Sequence, residues 1–209
     1  MKYFIDTEFI EGFYEPLFGK RKHFIDLISI GIVSRDGREY YAISNEYDYK
    51  DADCWVKENV ILPMYRELPP FHKEHCDPSN FHKRYGKSNR QIRDEIKSFV
   101  GVTIDDWDNE GTEKGIEFYG YYADYDWVLF CSLFGRMIDL PKGFPMYCKD
   151  LKQLLDDIGL DKQWKRLNSP DPEGEHNALI DAKWNKNLYE GILKHEKKTK
   201  QHYDKQNSK

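Results

Sequence analysis

The chain has 209 residues, 39% of them hydrophobic and 15% aromatic, which is enough to bury a core and too apolar for a disordered segment. Its formal net charge of −5 argues against non-specific binding of long duplex nucleic acid, so any nucleic-acid contact is expected to be local and assisted by metal cations. No apolar run approaches the roughly 18 residues of a membrane span, and the cysteines Cys54, Cys76, Cys131 and Cys148 form no CxxC pair, which points to free thiols rather than a disulfide frame or a zinc site.

Asp6 and Glu8 interrupt the one apolar run near the N-terminus, so it does not read as a signal peptide. The expectation is a soluble, cytoplasmic protein with no membrane contact. Residues 2–9 are rich in β-formers and predict a first strand. EGFYEPLFGKRK reads as a loop, HFIDLISIGIVS as a second strand, RDGR as a hairpin turn and EYYAISNEYD as a third strand. Three strands joined in sequence predict an antiparallel meander. ADCWVKENVILPM and SNRQIRDEIKSFVG then show helical spacing, the latter with Ser88 as N-cap and Gly101 as terminator. Residues 65–87 hold Pro69, Pro70 and Pro78 and read as a surface connector. GIEFYGYYA is a predicted central strand, DYDWVLFCSLFGRM a helix, PMYC a short strand and KDLKQLLDDIGL a helix. LNSPDPEGEH is a polar loop, and the last helix begins in HNALIDAKWNKNLYEGIL. The lysine-rich residues 194–209 read as a polar tail that frays into solvent, after one mixed α/β domain over residues 1–193.

Three short motifs carry possible chemistry. In FIDTEFI, Asp6 and Glu8 alternate on one strand and project from the same face. Two such carboxylates repel each other unless a cation neutralises them, and all-oxygen donors suit Mg²⁺ or Mn²⁺. An edge strand with one wet face explains the pattern equally simply. In YYADYDWVLF, Asp124 occupies the expected N-cap position. Asp126 lies on the stripe of Leu129, Phe130 and Leu133, where a carboxylate needs a partner; favouring the helix dipole is the alternative. In EHNALIDAKW, Asp181 shares a stripe with Trp184, Leu188 and Ile192. On one continuous helix, His176 and Asp181 would diverge by about 140°. With His176 in the preceding loop, its ring can swing over the site that Asp181 enters. Read alone, this motif is also a surface histidine beside a locally paired aspartate.

Taken together, the order Asp6, Glu8, Asp126, His176 and Asp181 resembles the DEDDh branch of the DnaQ-like 3′–5′ exonucleases. The resemblance runs from residue 2 to about residue 193. Within the branch the chain is most similar to small stand-alone exoribonucleases of the mycobacterial type, through LISIGIV with DGREYYA, ADYDWVLF, RMIDLPKGFPMYCKDLKQ and EHNALIDAKWN. It departs from some members in carrying Asp124 where they have asparagine, which leaves an extra carboxylate near the site.

The resemblance implies an α/β, RNase H-like mixed sheet with an antiparallel N-terminal meander, flanked by helices. It implies two Mg²⁺ or Mn²⁺ ions held by Asp6, Glu8, Asp126 and Asp181, with His176 as general base and nucleoside 5′-monophosphates as product. Thr7 and Phe9 are the expected contacts to the terminal nucleotide, Phe9 by stacking, although core packing is an equal reading of Phe9. Tyr125 and Trp127 rank lower as base contacts. The expected substrate is the 3′ end of single-stranded RNA. A DNA end is the alternative within the class, and an inactive nucleic-acid-binding module is the alternative outside it. Small members of the family are often homodimers, which is analogy alone.

Overall fold

The computed structural model describes residues 1–101, 115–174 and 176–207. Glu175 of the expected SPDPEGEH loop and the last two residues of the expected tail lie outside the described residues. β1 (Lys2–Tyr14) and β2 (Lys22–Ser34) pair antiparallel along almost their whole length, and β3 (Glu39–Ile43) continues the meander on the far side of β2. Of the segment expected as a loop over residues 11–22, residues 15–21 form the loop, while 11–14 and Lys22 prolong the two strands. Its aromatic residues Phe13 and Tyr14 favour extended backbone, and the arm they build projects beyond the rest of the sheet.

Helical segments follow: α1 (Cys54–Val56), a π-helical turn Lys57–Ile61, α2 (Leu62–Glu67), α3 (Pro70–Lys73), α4 (Phe81–Tyr85) and α5 (Asn89–Val100). The π turn ends two residues before Pro63, which has no N–H to donate one turn back. α5 is bounded as its sequence predicts. Ser88 and Gln91 form a capping box, and Gly101 ends the helix at φ +79°.

β4 (Glu117–Gly120) lies parallel to β1, and β5 (Lys149–Asp150) parallel to β4, giving the order β3-β2-β1-β4-β5. α6 (Asp124–Phe134), α7 (Leu151–Asp157), α8 (Lys162–Asn168) and α9 (Ala178–Asn207) complete the described elements. This is the mixed α/β arrangement of an RNase H-like fold.

Both faces of the sheet are covered. α5 and α6 pack Ile92, Ile96, Leu129 and Phe130 against Tyr3, Ile5, Ile30 and Ile32. α7 and α9 pack Leu151, Leu188 and Ile192 against Phe4 and Tyr119. A third cluster joins Ile10 and Ile28 to Val60, Ile61 and Phe81. Each fully buried Ile or Phe contributes about 1.5–3 kcal/mol. Leu27 joins Ile30 and Ile32 in one cluster, three and five residues away, because the register slips there: Glu8 faces Ser29, but Phe9 faces Leu27. The bulge changes the phase of β2 at the point where the projecting arm begins.

Several local expectations are corrected. Residues 65–87 are more than a surface connector, since Phe81 and His82 are buried and the His82 ring stacks on Tyr47 at 3.9 Å. Two prolines there, Pro69 and Pro70, stand at the start of α3, where a missing N–H loses nothing. PMYC is not a strand; the pairing begins at Lys149. The last helix continues past residue 193 to Asn207 without a break.

One glycine fixes the spacing of the sheet and the last helix. Gly31 is the partner of Asp6 across the β1–β2 ladder. A Cβ on it would collide with the Ala178 carbonyl and lie 2.5 Å from the Leu179 amide nitrogen. The first turn of α9 therefore rests directly on β2 beside Asp6. Gly31→Ala is expected to destabilise the protein by at least about 2 kcal/mol in urea unfolding, because backbone atoms must move. A loss below about 0.5 kcal/mol would contradict this close approach.

Candidate active site

The site begins with an incomplete ladder. β4 pairs with β1 only over Lys2–Phe4, so one edge of β1 is open from Ile5 onward. Two side chains take its backbone groups. The Thr7 N–H donates to Asp126 Oδ1 at 2.7 Å, and Asn185 Nδ2 donates to the Ile5 carbonyl at 2.9 Å. Helices from opposite faces thus meet at this edge, α6 through Asp126 and α9 through Asn185.

Asp6 and Glu8 project from this strand, and Asp181 enters from the first turn of α9. One carboxylate oxygen from each lies within 4.8 Å of the others, and all three residues are partly buried. Asn177 starts α9, its Oδ1 accepting from the Leu179 and Ile180 amides at 3.1 and 3.3 Å. Asp126 stands outside this group of three but close to it. Its charge is the strongest of the neighbouring charges acting on Asp6. Asp126 is 7% exposed, and its Oδ1 also accepts from the Thr7 hydroxyl at 2.6 Å. Thr7 is buried, and its hydroxyl and amide both serve to position Asp126.

The carboxylates hold protons more tightly than usual. Burial, then the charges of Asp126, Glu8 and Asp181, pushes Asp6 well above the ordinary carboxylate range. Burial and the charges of Asp181 and Asp126 push Glu8 from 4.5 up to about 8. Asp126 rises from 3.8 to about 6 through burial, opposed by the two Thr7 hydrogen bonds. Such crowding of oxygen donors is the setting that a hard divalent cation fits.

His176 lies in the loop before α9, as expected, with a left-handed backbone at φ +68°. Its N–H donates to Asp181 Oδ2 at 3.0 Å, and its ring meets Trp55 edge-on at 4.7 Å between centroids. His176, Asp6, Asp181 and Asn185 line a cavity of about 200 Å³ together with Tyr121, Trp184 and Lys165. The Lys165 ammonium is 2.9 Å from Asp171 Oδ1 and about 5 Å from the Trp184 and Tyr121 ring centres.

Asp124 does not cap α6. Ala123 holds that position, and its N–H donates to Asp150 Oδ2 at 2.8 Å, while Asp124 is the exposed first helical residue. Asp150 Oδ1 also accepts from the Lys152 and Gln153 amides at the start of α7. One carboxylate therefore fixes the β4–α6 turn and caps α7. Phe9 is partly buried against the core and meets Tyr125 edge-on at 5.6 Å. Trp127 packs inward on Phe118 and Phe130.

Sequence reasoning missed Asn185, Asp150 and Lys165. Asn185 follows Asp181 by four residues, a spacing that shares a helix face, and Asp150 precedes a helical run as an N-cap does. Lys165 gave no sequence signal.

An RNase H-like sheet with carboxylates from its first strand and two helices gathered at one open edge is the architecture of a nuclease-type phosphodiester site. The chain belongs to the Rv2179c-like family: the model of the 3′-5′ exoribonuclease Rv2179c-like domain matches residues 1–193. Two curated relatives from Mycobacterium tuberculosis are similar to it, the 3′-5′ exoribonuclease MT2234.1 of strain CDC 1551 / Oshkosh and the 3′-5′ exoribonuclease Rv2179c of strain ATCC 25618 / H37Rv. Each is 37% identical over 183 residues, covering 88% of this chain and 88% of the relative. No helix among the described residues is long and apolar enough to cross a membrane.

The raised carboxyl values carry a stability consequence. Below about pH 4.5, Glu8 is protonated in both the folded and the unfolded chain. As pH rises, the unfolded chain ionises first while the folded carboxyl keeps its proton to about pH 8. The folded state therefore loses stability across that interval. In chelator-treated protein, the unfolding midpoint in urea at pH 5 is expected to exceed that at pH 8, and millimolar Mg²⁺ or Mn²⁺ is expected to raise the pH 8 value. A chelated protein more stable at pH 8 than at pH 5 would count against the carboxylate cluster.

Proposed function

We propose that this chain is a 3′–5′ exoribonuclease that shortens single-stranded RNA from its 3′ end and releases nucleoside 5′-monophosphates. The observation that carries the reading is the gathering of Asp6, Glu8 and Asp181 at the open edge of β1, with Asp126 beside them. Membership of an exoribonuclease family supports the substrate class. Asp6, Glu8, Asp126 and Asp181 would hold the divalent ions, Mg²⁺ or Mn²⁺ and two in number. Bound there, such ions acidify water and neutralise charge on a phosphodiester.

The chain's own residues supply the remaining steps. The cavity shared by His176, Asp6 and Asp181 holds the water that attacks the terminal phosphorus. A ring nitrogen of His176 takes the proton of that water as its oxygen bonds to phosphorus, the role for which imidazole is suited near neutral pH. The bond from phosphorus to the 3′ oxygen of the preceding nucleotide breaks, and that oxygen takes a proton from solvent to become the new 3′-hydroxyl of the shortened RNA. Asn185 and Thr7 hold the framework: Asn185 ties α9 to the Ile5 carbonyl, and Thr7 orients the Asp126 carboxylate. Phe9, partly buried beside Tyr125, is the ring that would receive the terminal base.

The test uses 5′-labelled and 3′-labelled RNA with Mg²⁺ or Mn²⁺, beside DNA of the same sequence. A ladder of 5′-labelled products shortened one nucleotide at a time is expected, with RNA cleaved faster than DNA. Asp6→Ala is expected to reduce kcat at least about 10³-fold while the chelated variant unfolds no earlier than wild type, since the variant also removes a repelling charge. Full activity of Asp6→Ala, or cleavage of a circular RNA, would refute the reading.

A further inference from the structure

The arm formed by the far ends of β1 and β2 carries a continuous row of rings that starts beside the catalytic strand. Phe9, the residue after Glu8, meets Tyr125 at 5.6 Å between centroids, Tyr125 meets His23 at 6.3 Å, and His23 meets Phe13 at 5.4 Å. The Arg21 guanidinium lies over the Phe13 ring at 3.8 Å and ends the row with a cation. The span from Phe9 to Phe13 is four strand residues, about 13 Å. Glu11 organises the middle of it: its Oε1 accepts from Tyr125 Oη at 3.3 Å and lies 2.8 Å from His23 Nε2. Tyr125 is 41% exposed and Phe13 54% exposed, so these rings present open faces while their positions are fixed.

We infer that the part of this row beyond Phe9, formed by Tyr125, His23 and Phe13, is a stacking platform for bases of single-stranded RNA lying 5′ of the nucleotide being removed. The inference rests on the exoribonuclease reading for its direction along the RNA. Two observations favour RNA as the occupant. The row starts beside the candidate active site, because Phe9 follows Thr7 on the face of β1 where Thr7 holds Asp126. Aromatic faces are joined by an arginine, the combination that holds single strands without sequence preference. The chain as a whole is acidic, with a net charge of −5, so affinity for a polyanion must come from stacking more than from phosphate neutralisation. Leu17 and Phe18, at the tip beyond the row, are 97% and 92% exposed and offer a second copy of the chain as the competing occupant.

The experiment compares a dinucleotide with an octanucleotide RNA. The readouts are the ratio of their kcat/KM values and the equilibrium binding of a 5′-fluorescein octanucleotide in EDTA, where no chemistry occurs. Phe13→Ala and Arg21→Ala are each expected to weaken octanucleotide binding at least about fivefold and to lower the kcat/KM ratio by a similar factor. Leu17→Ala, at the tip, is expected to bind the octanucleotide as wild type does. Thermal unfolding of each variant checks the fold. Wild-type affinity in Phe13→Ala and Arg21→Ala, or equal losses on the two substrates, would overturn the platform. So would failure of wild type to bind the octanucleotide, or conversion of a dimer to a monomer with RNA binding unchanged. If wild type binds the octanucleotide in a Phe13-dependent way but trims no RNA, the platform stands and the exoribonuclease reading fails.

Discussion

The structure turns on a strand whose ladder stops early. β4 leaves β1 after Phe4, and the polar backbone beyond that point still needs partners. Water would suffice on an ordinary edge. Here the Ile5 carbonyl and the Thr7 amide are taken by Asn185 and Asp126 instead. Each of these residues belongs to a helix on a different face of the sheet. The missing pairs of a short strand thus determine where two helices must begin, and the acidic groups converge there as a result. Asp150 reinforces the arrangement from β5 by holding the Ala123 amide at the turn into α6.

Such a site is held against its own electrostatics. Asp6, Glu8 and Asp181 crowd together, and Asp126 adds a fourth carboxyl group. Tyr122 and His176 adopt left-handed backbone at φ +56° and +68° in the loops that deliver Asp126 and Asp181. A left-handed conformation costs a non-glycine residue roughly 1–2 kcal/mol. These costs are carried by the clusters on both faces of the sheet, in which Ile5, Ile30, Phe118 and Phe130 are fully buried. The divalent ions proposed for the site would relieve the largest part of the repulsion, so the apolar core and the bound ions share the task of holding the carboxylates in place.

Much of this was legible in the sequence because simple periodicities carry it. Asp6 and Glu8 had to share a face on any strand, and Ser88 and Gly101 marked the ends of α5 by their backbone preferences. His176 was expected in a loop because a single helix would have turned it away from Asp181. What failed were features that depend on partners distant in sequence. β5 is two residues long and has no periodicity to read. Asp124 is the better capping residue by type, yet Ala123 takes the position because Asp150 supplies the acceptor from another strand. The prolines of residues 69–70 signalled a break but equally suit helix starts, so the buried Phe81 and His82 beyond them were passed over. Gly31 looks like any glycine in a strand until α9 is known to lie on it.

The four-residue interval between Asp181 and Asn185 makes α9 a ruler. One mark engages the edge of β1 and the other sets the depth at which a carboxylate enters the site, roughly 6 Å apart along the axis. Side chains on the outer surface of this helix are free to diverge in descendants of the sequence. Its length between the two marks is not, because one inserted or deleted residue rotates every later position by about 100°. An insertion or deletion within that turn would break one of the two contacts, whereas one further along the same helix leaves both in place.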